Sequence, residues 1–280
     1  MTATTDPTAW IGRQEETTET LGPWPLIGLA ATLDRDPGGI GPGTPLPPLA
    51  HWLYFLPRTP ARDLGPDGHA KRGGFLPPID LPRRMWAGGR LRFLGPLTVG
   101  ETALKRSTIR AVTEKNGKSG RLVFVTVGHQ VLVDGELRID EEQDIVYRPL
   151  PEPGTPVPPP PAPPALESHF TGTLTPDAVM LFRYSALTFN GHRIHYDIDF
   201  CRDHEGYPGL VVHGPLTATL LADLAQANSP TPLATFSYRG TAPLFHDQPV
   251  TLNGHRQDAT TTLWATAPDG HQAMHAEATS

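Results

Sequence analysis

The chain has a single cysteine, Cys201, in 280 residues. It can form no internal disulfide, and a reducing compartment such as the cytoplasm is the simplest expectation. No apolar run approaches the roughly 18 residues that a membrane-crossing helix needs, so no membrane partner is expected. The first residues, Met1-Thr2-Ala3-Thr4-Thr5-Asp6, carry neither a basic head nor an apolar stretch, which speaks against a secretory signal. An excess of positive charge is missing too: the formal net charge is -6. Nonspecific affinity for nucleic acid needs clustered cations, so no nucleic-acid partner is expected.

Several catalytic signatures are absent as well. There is no Gly-x-Ser-x-Gly elbow of a serine hydrolase, no His-Glu-x-x-His or paired-cysteine zinc pattern, and no Gly-rich phosphate loop. His192, His195, Asp199, Asp203, His204 and His213 fall within 22 residues, but their spacing matches no such metal motif. No metal is expected.

Proline and glycine are abundant instead, at 33 and 28 residues, and they imply long loops around a core supplied by a 38% hydrophobic fraction. The length suits roughly two domains. Ten of the sixteen residues from Pro149 to Pro164 are proline. An extended connector is expected there, reaching on the order of 50 Å at about 3.1 Å per residue. It separates a first domain, 1–148, from a second, 165–280.

In the first domain, Asp6-Pro7 resembles a helix start. Residues 25–33 read as a helix with Leu26, Leu29, Ala30 and Leu33 on one side, expected to be the domain's central helix. Residues 51–56 are rich in β-formers, and Pro57 stops them. The excursion 62–82 is too long for a passive turn and is a candidate wall of a binding cleft. Strands follow at 90–94, 105–112, 121–127, 131–133 and 141–148, with turns at 115–118 and Asp134-Gly135. The second domain shows strands at 234–239, 249–255, 260–267 and 272–279, with turns at 252–255 and 267–270. A helix followed by antiparallel strands, twice over, predicts an α+β fold with a sheet wrapped on a helix in each half.

One stretch concentrates chemistry. Phe189-Asn190-Gly191-His192-Arg193-Ile194-His195-Tyr196-Asp197 crowds two imidazoles, a guanidinium, a carboxylate and a carboxamide into one turn. Before it, Thr175-Pro176-Asp177 reads as a helix start, with Thr175 as cap and Val179, Phe182 and Ala186 on one face. After it, His213-Gly214-Pro215 opens a helix whose Leu216, Leu220 and Leu224 recur every four residues as a buried stripe.

This arrangement resembles the MaoC-type hotdog-fold hydratases and dehydratases, whose turn reads Asp-x-Asn-Pro-(Ile/Leu)-His-x-Asp and precedes a helix entered through His-Gly. Asn190 stands in place of the acid, His192 of the asparagine and Arg193 of the proline. That form is similar to the double-hotdog branch of mesaconyl-CoA and itaconyl-CoA hydratases and type 2 hydroxyacyl-thioester dehydratases. The resemblance implies a double hotdog that hydrates or dehydrates an enoyl-CoA or 3-hydroxyacyl-CoA thioester, with no cofactor beyond the coenzyme A of the substrate. It also leaves a homo-oligomer open. The first half, without an equivalent turn, is expected to shape the pocket and carry little chemistry.

Within that resemblance, His195 is the expected general base and proton carrier, and the Gly214 amide the expected donor to the enolate oxygen. Asn190 cannot accept a proton, so it is expected to orient water or substrate through its oxygen. Arg193, with His192 and His213, is expected to bind the substrate: a guanidinium fork suits the free carboxylate of a short branched dicarboxylic acyl group. Pairing of Arg193 with Asp197 or Asp199 is the structural alternative. Asp197 is either a second acid/base or a support of the loop. Lys105, Arg106, Arg110, Lys115, Lys118 and Arg121 suit either a solvated strand face or contacts to coenzyme A. A fatty-acid or polyketide type 2 dehydratase, a thioesterase and a non-catalytic acyl-CoA binding module are the competing readings.

Overall fold

The computed structural model describes residues 6–117, 120–150 and 159–280. The first half supplies β1 (Gln14–Thr20), α1 (Trp24–Thr32), β2 (Arg83–Phe93), β3 (Thr102–Gly117), β4 (Gly120–Val133) and β5 (Glu136–Arg148). The second supplies β6 (Phe170–Leu174), α2 (Ala178–Leu187), a single helical turn α3 (Ile198–Phe200), α4 (Gly214–Ala227), β7 (Thr235–Gly240), β8 (Val250–Gln257), β9 (Thr260–Thr266) and β10 (Gln272–Thr279).

The strands join one antiparallel sheet in the order β1-β3-β4-β5-β2-β7-β10-β9-β8-β6. Numbered from its own first strand, the second half repeats the order of the first, reversed about the β2–β7 seam. Two like halves thus meet edge to edge, with Gly88 to Arg92 paired to Arg239 to Thr235. The expected α+β double layout is present as one continuous sheet.

α4 is the buried centre of the second half. Leu216, Leu220 and Leu221 join Ala218, Ala222 and Ala225 in its buried set, and Leu224 packs beside them. A fourteen-residue helix with leucines three to four apart can bury such a stripe only against a broad surface, here β7 to β10.

Among its described residues, the first half has no counterpart to α4. α1 lies beside α2 and the turn 50–53, so it is not the central helix that its apolar side suggested. The place over the first-half sheet is taken by a 3-10 turn, Ala50–Leu53, where the β-forming residues of the sequence predict a strand. Its side chains explain the difference. His51 Nε2 bonds Glu141 at 2.9 Å, and Trp52 Nε1 donates to the same carboxylate at 3.0 Å. A charged group buried to 2% exposure must be satisfied in this way, and a strand would turn the two donors to opposite sides.

Other local expectations shift for similar reasons. The Asp6-Pro7 start yields only the short turn Pro7–Trp10, and the acidic run after it is edge strand β1. Asp177, not Thr175, caps α2, accepting the Met180 amide at 2.7 Å. Val179 and Phe182 are exposed, while Leu181, Tyr184 and Ser185 face inward. Asn253-Gly254 lies inside β8 and makes no turn; a side chain at Gly254 would collide with the Phe170 ring on β6. Half of the Pro-rich connector, residues 151–158, lies outside the described residues.

The excursion 62–82 is tied down at its far end. Ile79 and Leu81 pack with Ile109, Val123, Val125, Val127 and Tyr147 in a second apolar cluster. Its near end reaches the turn between α2 and α4. No helix among the described residues is long and apolar enough to cross a membrane.

Candidate active site

His195 sits in the short 3-10 turn Arg193–His195 and is 6% exposed. Its Nδ1 donates to the Val211 carbonyl at 2.7 Å. That bond fixes the tautomer and leaves Nε2 as the lone-pair nitrogen. Burial, opposed by the Val211 carbonyl and reinforced by His69, pushes its pKa down to about 4. The ring stacks on His213, with centroids 3.6 Å apart and planes 18° from parallel.

His213 is the residue before α4 and is fully buried. Its Nε2 bonds Ser185 Oγ of α2 at 2.8 Å, and burial holds its pKa well below the ordinary value. It therefore serves as a neutral platform. Gly214 follows as the first residue of α4, and its N–H, like the others of a first helical turn, has no acceptor within the helix. Trp86 of β2 explains the glycine: a Cβ at 214 would lie 2.9 Å from its ring. Trp86 in turn stacks on Tyr238 and meets Trp52 edge-on. The helix entrance is thus walled by aromatic side chains from both halves.

The remaining sequence-predicted residues divide into two groups. His192 is in the row, its ring 5.6 Å from that of His195 and nearly perpendicular. Burial, with the neighbouring imidazoles and Arg84, pushes its pKa down to about 2. Asn190, Arg193 and Asp197 build the turn itself. Asn190 Oδ1 accepts the His192 amide at 3.0 Å, which uses one of its two lone pairs. Arg193 donates through Nε and Nη2 to Asp197 Oδ2 at 2.9 and 2.7 Å and through Nη1 to the Pro66 carbonyl. Its guanidinium also covers the Phe200 ring at 4.4 Å. Asp197 in addition caps α3 through the Phe200 amide. The structural alternative for Arg193 and the loop-support alternative for Asp197 are the ones this geometry contains.

The first half, expected to shape the pocket and carry little chemistry, brings the loop 65–69 against this turn. His69 lies against His192 with centroids 4.0 Å apart. Behind it, Asp67 accepts His69 Nδ1 at 2.9 Å and the His69 amide at 3.0 Å. The Asp67 carbonyl also accepts the Arg193 amide at 2.9 Å. Burial works against ionisation of Asp67, yet the His69 bonds outweigh it and hold the carboxyl below its usual range. Burial lowers His69 in spite of Asp67. The result is a row of four imidazoles, His69, His192, His195 and His213, with one carboxylate at its outer end. Asp67, His69 and His192 bring ligand atoms within 4.8 Å of one another, the donor set among the described residues that could hold a metal ion.

Sequence reasoning marked 62–82 as a cleft wall and did not single out Asp67, His69, Trp86 or Arg84. The available signal was Asp67-Gly68-His69, a turn dipeptide and an imidazole amid irregular chain. A concavity of about 440 Å³ lies elsewhere, over the seam, where Asp140, Glu142 and Asp144 pair with Arg90 and Arg92. Cys201 is fully buried, its thiol pushed up to about 11 by burial.

The sequence profile of hydroxyacyl-thioester dehydratase type 2 matches residues 49–246. A mesaconyl-C(4)-CoA hydratase of Chloroflexus aurantiacus is 50% identical over 274 residues, covering 96% of this chain and 95% of its own. Among solved structures, a MaoC-like dehydratase from Phytophthora capsici superposes with a TM-score of 0.71 at 13% identity, over 97% of this chain and 96% of its own. A Mycobacterium tuberculosis protein with a double hotdog fold does so with a TM-score of 0.57 at 13% identity, over 96% of each chain.

Proposed function

Because the chain belongs to the type 2 hydroxyacyl-thioester dehydratase family, we propose that it adds water reversibly across an enoyl-CoA thioester. The acyl group is a short branched dicarboxylic one of the mesaconyl-C4-CoA kind. The observation that carries this reading is His195: a buried imidazole with Nδ1 fixed on a carbonyl, so that Nε2 is available as a base beside the start of α4.

In the hydration direction, Nε2 of His195 takes a proton from water as the oxygen bonds the β-carbon. The carbon–carbon π pair moves toward the thioester, and the enolate oxygen is received by the Gly214 N–H, aided by the helix dipole. Protonation of the α-carbon by the same imidazole restores the base. Asn190 supports the step by holding the His192 amide and with it the turn. No cofactor is required, since coenzyme A arrives with the substrate. The buried lone thiol suits a reducing compartment, and assembly into a homo-oligomer is part of the same reading.

The test is turnover of a panel of enoyl-CoA and 3-hydroxyacyl-CoA thioesters, followed by enoyl absorbance and by mass for the gain or loss of one water. Activity abolished by His195→Gln supports the reading. Retained activity in that variant, or release of free coenzyme A as the product, ends it.

A further inference from the structure

Mesaconate thioesterified at C4 has a particular geometry. Its β-carbon, the one that receives water, also bears the methyl group and the free carboxylate. With reacting atoms about 3–3.5 Å apart, that carboxylate comes to rest only about 5–6 Å from the base nitrogen. A group that recognises it must therefore be an immediate neighbour of His195.

On one side of His195 stands His213, fully buried and bonded to Ser185. That side is closed. On the other stands His192 at 5.6 Å, with His69 against it at 4.0 Å. Arg193, the obvious guanidinium, is held by Asp197 and Pro66 and lies over Phe200. Arg84 of β2 has no carboxylate partner among the described ion pairs, and alternation along the strand puts it on the same face as Trp86. Its positive charge is among the causes that keep the pKa values of His69 and His192 low.

Resting on the hydration reading, we propose that His69, His192 and Arg84 form the subsite for the free carboxylate of the acyl group, and that the first half of the chain thereby sets substrate specificity. Asp67 is not an obstacle. It sits behind His69, on Nδ1, so the opposite ring edge is directed away from it.

The test uses two thioesters that differ only at this group: mesaconyl-C4-CoA and 3-methylcrotonyl-CoA, in which a methyl replaces the carboxylate. His69→Asn keeps an amide in place of Nδ1 for Asp67 and removes the outward ring edge; Arg84→Gln is the second variant. Each is expected to raise KM for the dicarboxylic thioester about 10- to 100-fold, the size of a lost hydrogen bond to a charged group. Values for 3-methylcrotonyl-CoA should move by less than about 3-fold, within the scatter of surface changes.

Calorimetric binding to the full chain carrying His195→Gln makes the result independent of turnover. There the preference for the dicarboxylic thioester should be present and should disappear when His69→Asn is added. Equal losses on both thioesters, or a preference that survives both substitutions, overturn the subsite. A wild-type chain that hydrates neither thioester overturns the hydration reading instead, and the calorimetry still decides the subsite.

Discussion

Gly68 and Gly191 touch backbone to backbone: a Cβ on Gly68 would run into the Gly191 carbonyl, and its φ is +86°. Two reasons, space and a left-handed backbone, thus require glycine at the point where the first half docks on the turn 189–197. Gly68→Ala is expected to lower stability by about 1–3 kcal/mol and to displace His69 from His192. Loss of kcat/KM larger than the fall in Tm explains would show that the docking matters for chemistry; wild-type turnover in a folded variant would refute it.

The pH profile follows from His195. Its base form is neutral, and its pKa is lowered to about 4, so the active form persists well below the usual imidazole range near 6.5. The acid limb of kcat/KM is expected near pH 4 to 5, and a limb at 6.5 would show that the base is less buried than this.

Stability has its own pH dependence, with a sign that the lowered imidazoles determine. His195 takes up its proton near pH 6.5 when unfolded but only near 4 when folded. The unfolded chain therefore binds more protons between those values, and stability falls as pH drops through that window, by up to about 1.4 kcal/mol per pH unit for each such group. His213, lowered in the same direction, adds to the slope. Denaturant melts at pH 7 and 5 measure it, and the slope should shrink in His195→Gln.

Glu141 behaves differently. Burial raises its pKa, but the His51 bond and charge, His129 and the Trp52 N–H outweigh burial and leave it lowered. A lowered carboxylate contributes stability above its unfolded pKa of about 4.3, lost as pH falls through the folded value. Glu141→Gln is expected to cost about 3–5 kcal/mol at neutral pH, the scale for breaking a buried charged network, and to loosen the turn Ala50–Leu53. Chemical denaturation at pH 7 checks the first, and Trp52 fluorescence the second.

Arg193→Gln is expected to weaken dicarboxylic and monocarboxylic thioesters alike, since the guanidinium holds Asp197 and the Pro66 carbonyl. The partly exposed pair itself is worth about 0.2–1 kcal/mol. A loss confined to the dicarboxylic substrate would return Arg193 to the carboxylate subsite.

Much of this fold is legible in local pattern. β10 occupies the expected 272–279, and the Asp134-Gly135 turn has the two positive φ values, 50° and 81°, that a two-residue hairpin wants. The α4 stripe and its His-Gly entrance were also readable, because one helix face against one sheet produces a regular period. What escaped the sequence depends on partners far away in the chain. Residues 51–56 look like a strand until Glu141, some ninety positions on, claims His51 and Trp52. The Asn253-Gly254 pair looks like a turn until Phe170 needs the space above it. His69 looks like a loop residue until it meets His192, and no periodicity connects the two. Within the turn itself, composition identified Arg193 and Asp197 as chemical groups, but only their mutual geometry shows that each occupies the other.

The β2–β7 seam has a bearing on how the protein would survive damage. Five residue pairs there, Gly88 to Arg92 against Arg239 to Thr235, stitch the halves across a strand edge that each would otherwise expose. Were the backbone severed within the proline tract, the first fragment would keep Asp67 and His69 and the second His192, His195 and Gly214, so neither could work alone. Co-expressed as separate polypeptides, they would have a ready-made edge on which to reassemble, and recovered turnover would report that the cut ends, not the sheet, had been the dispensable part.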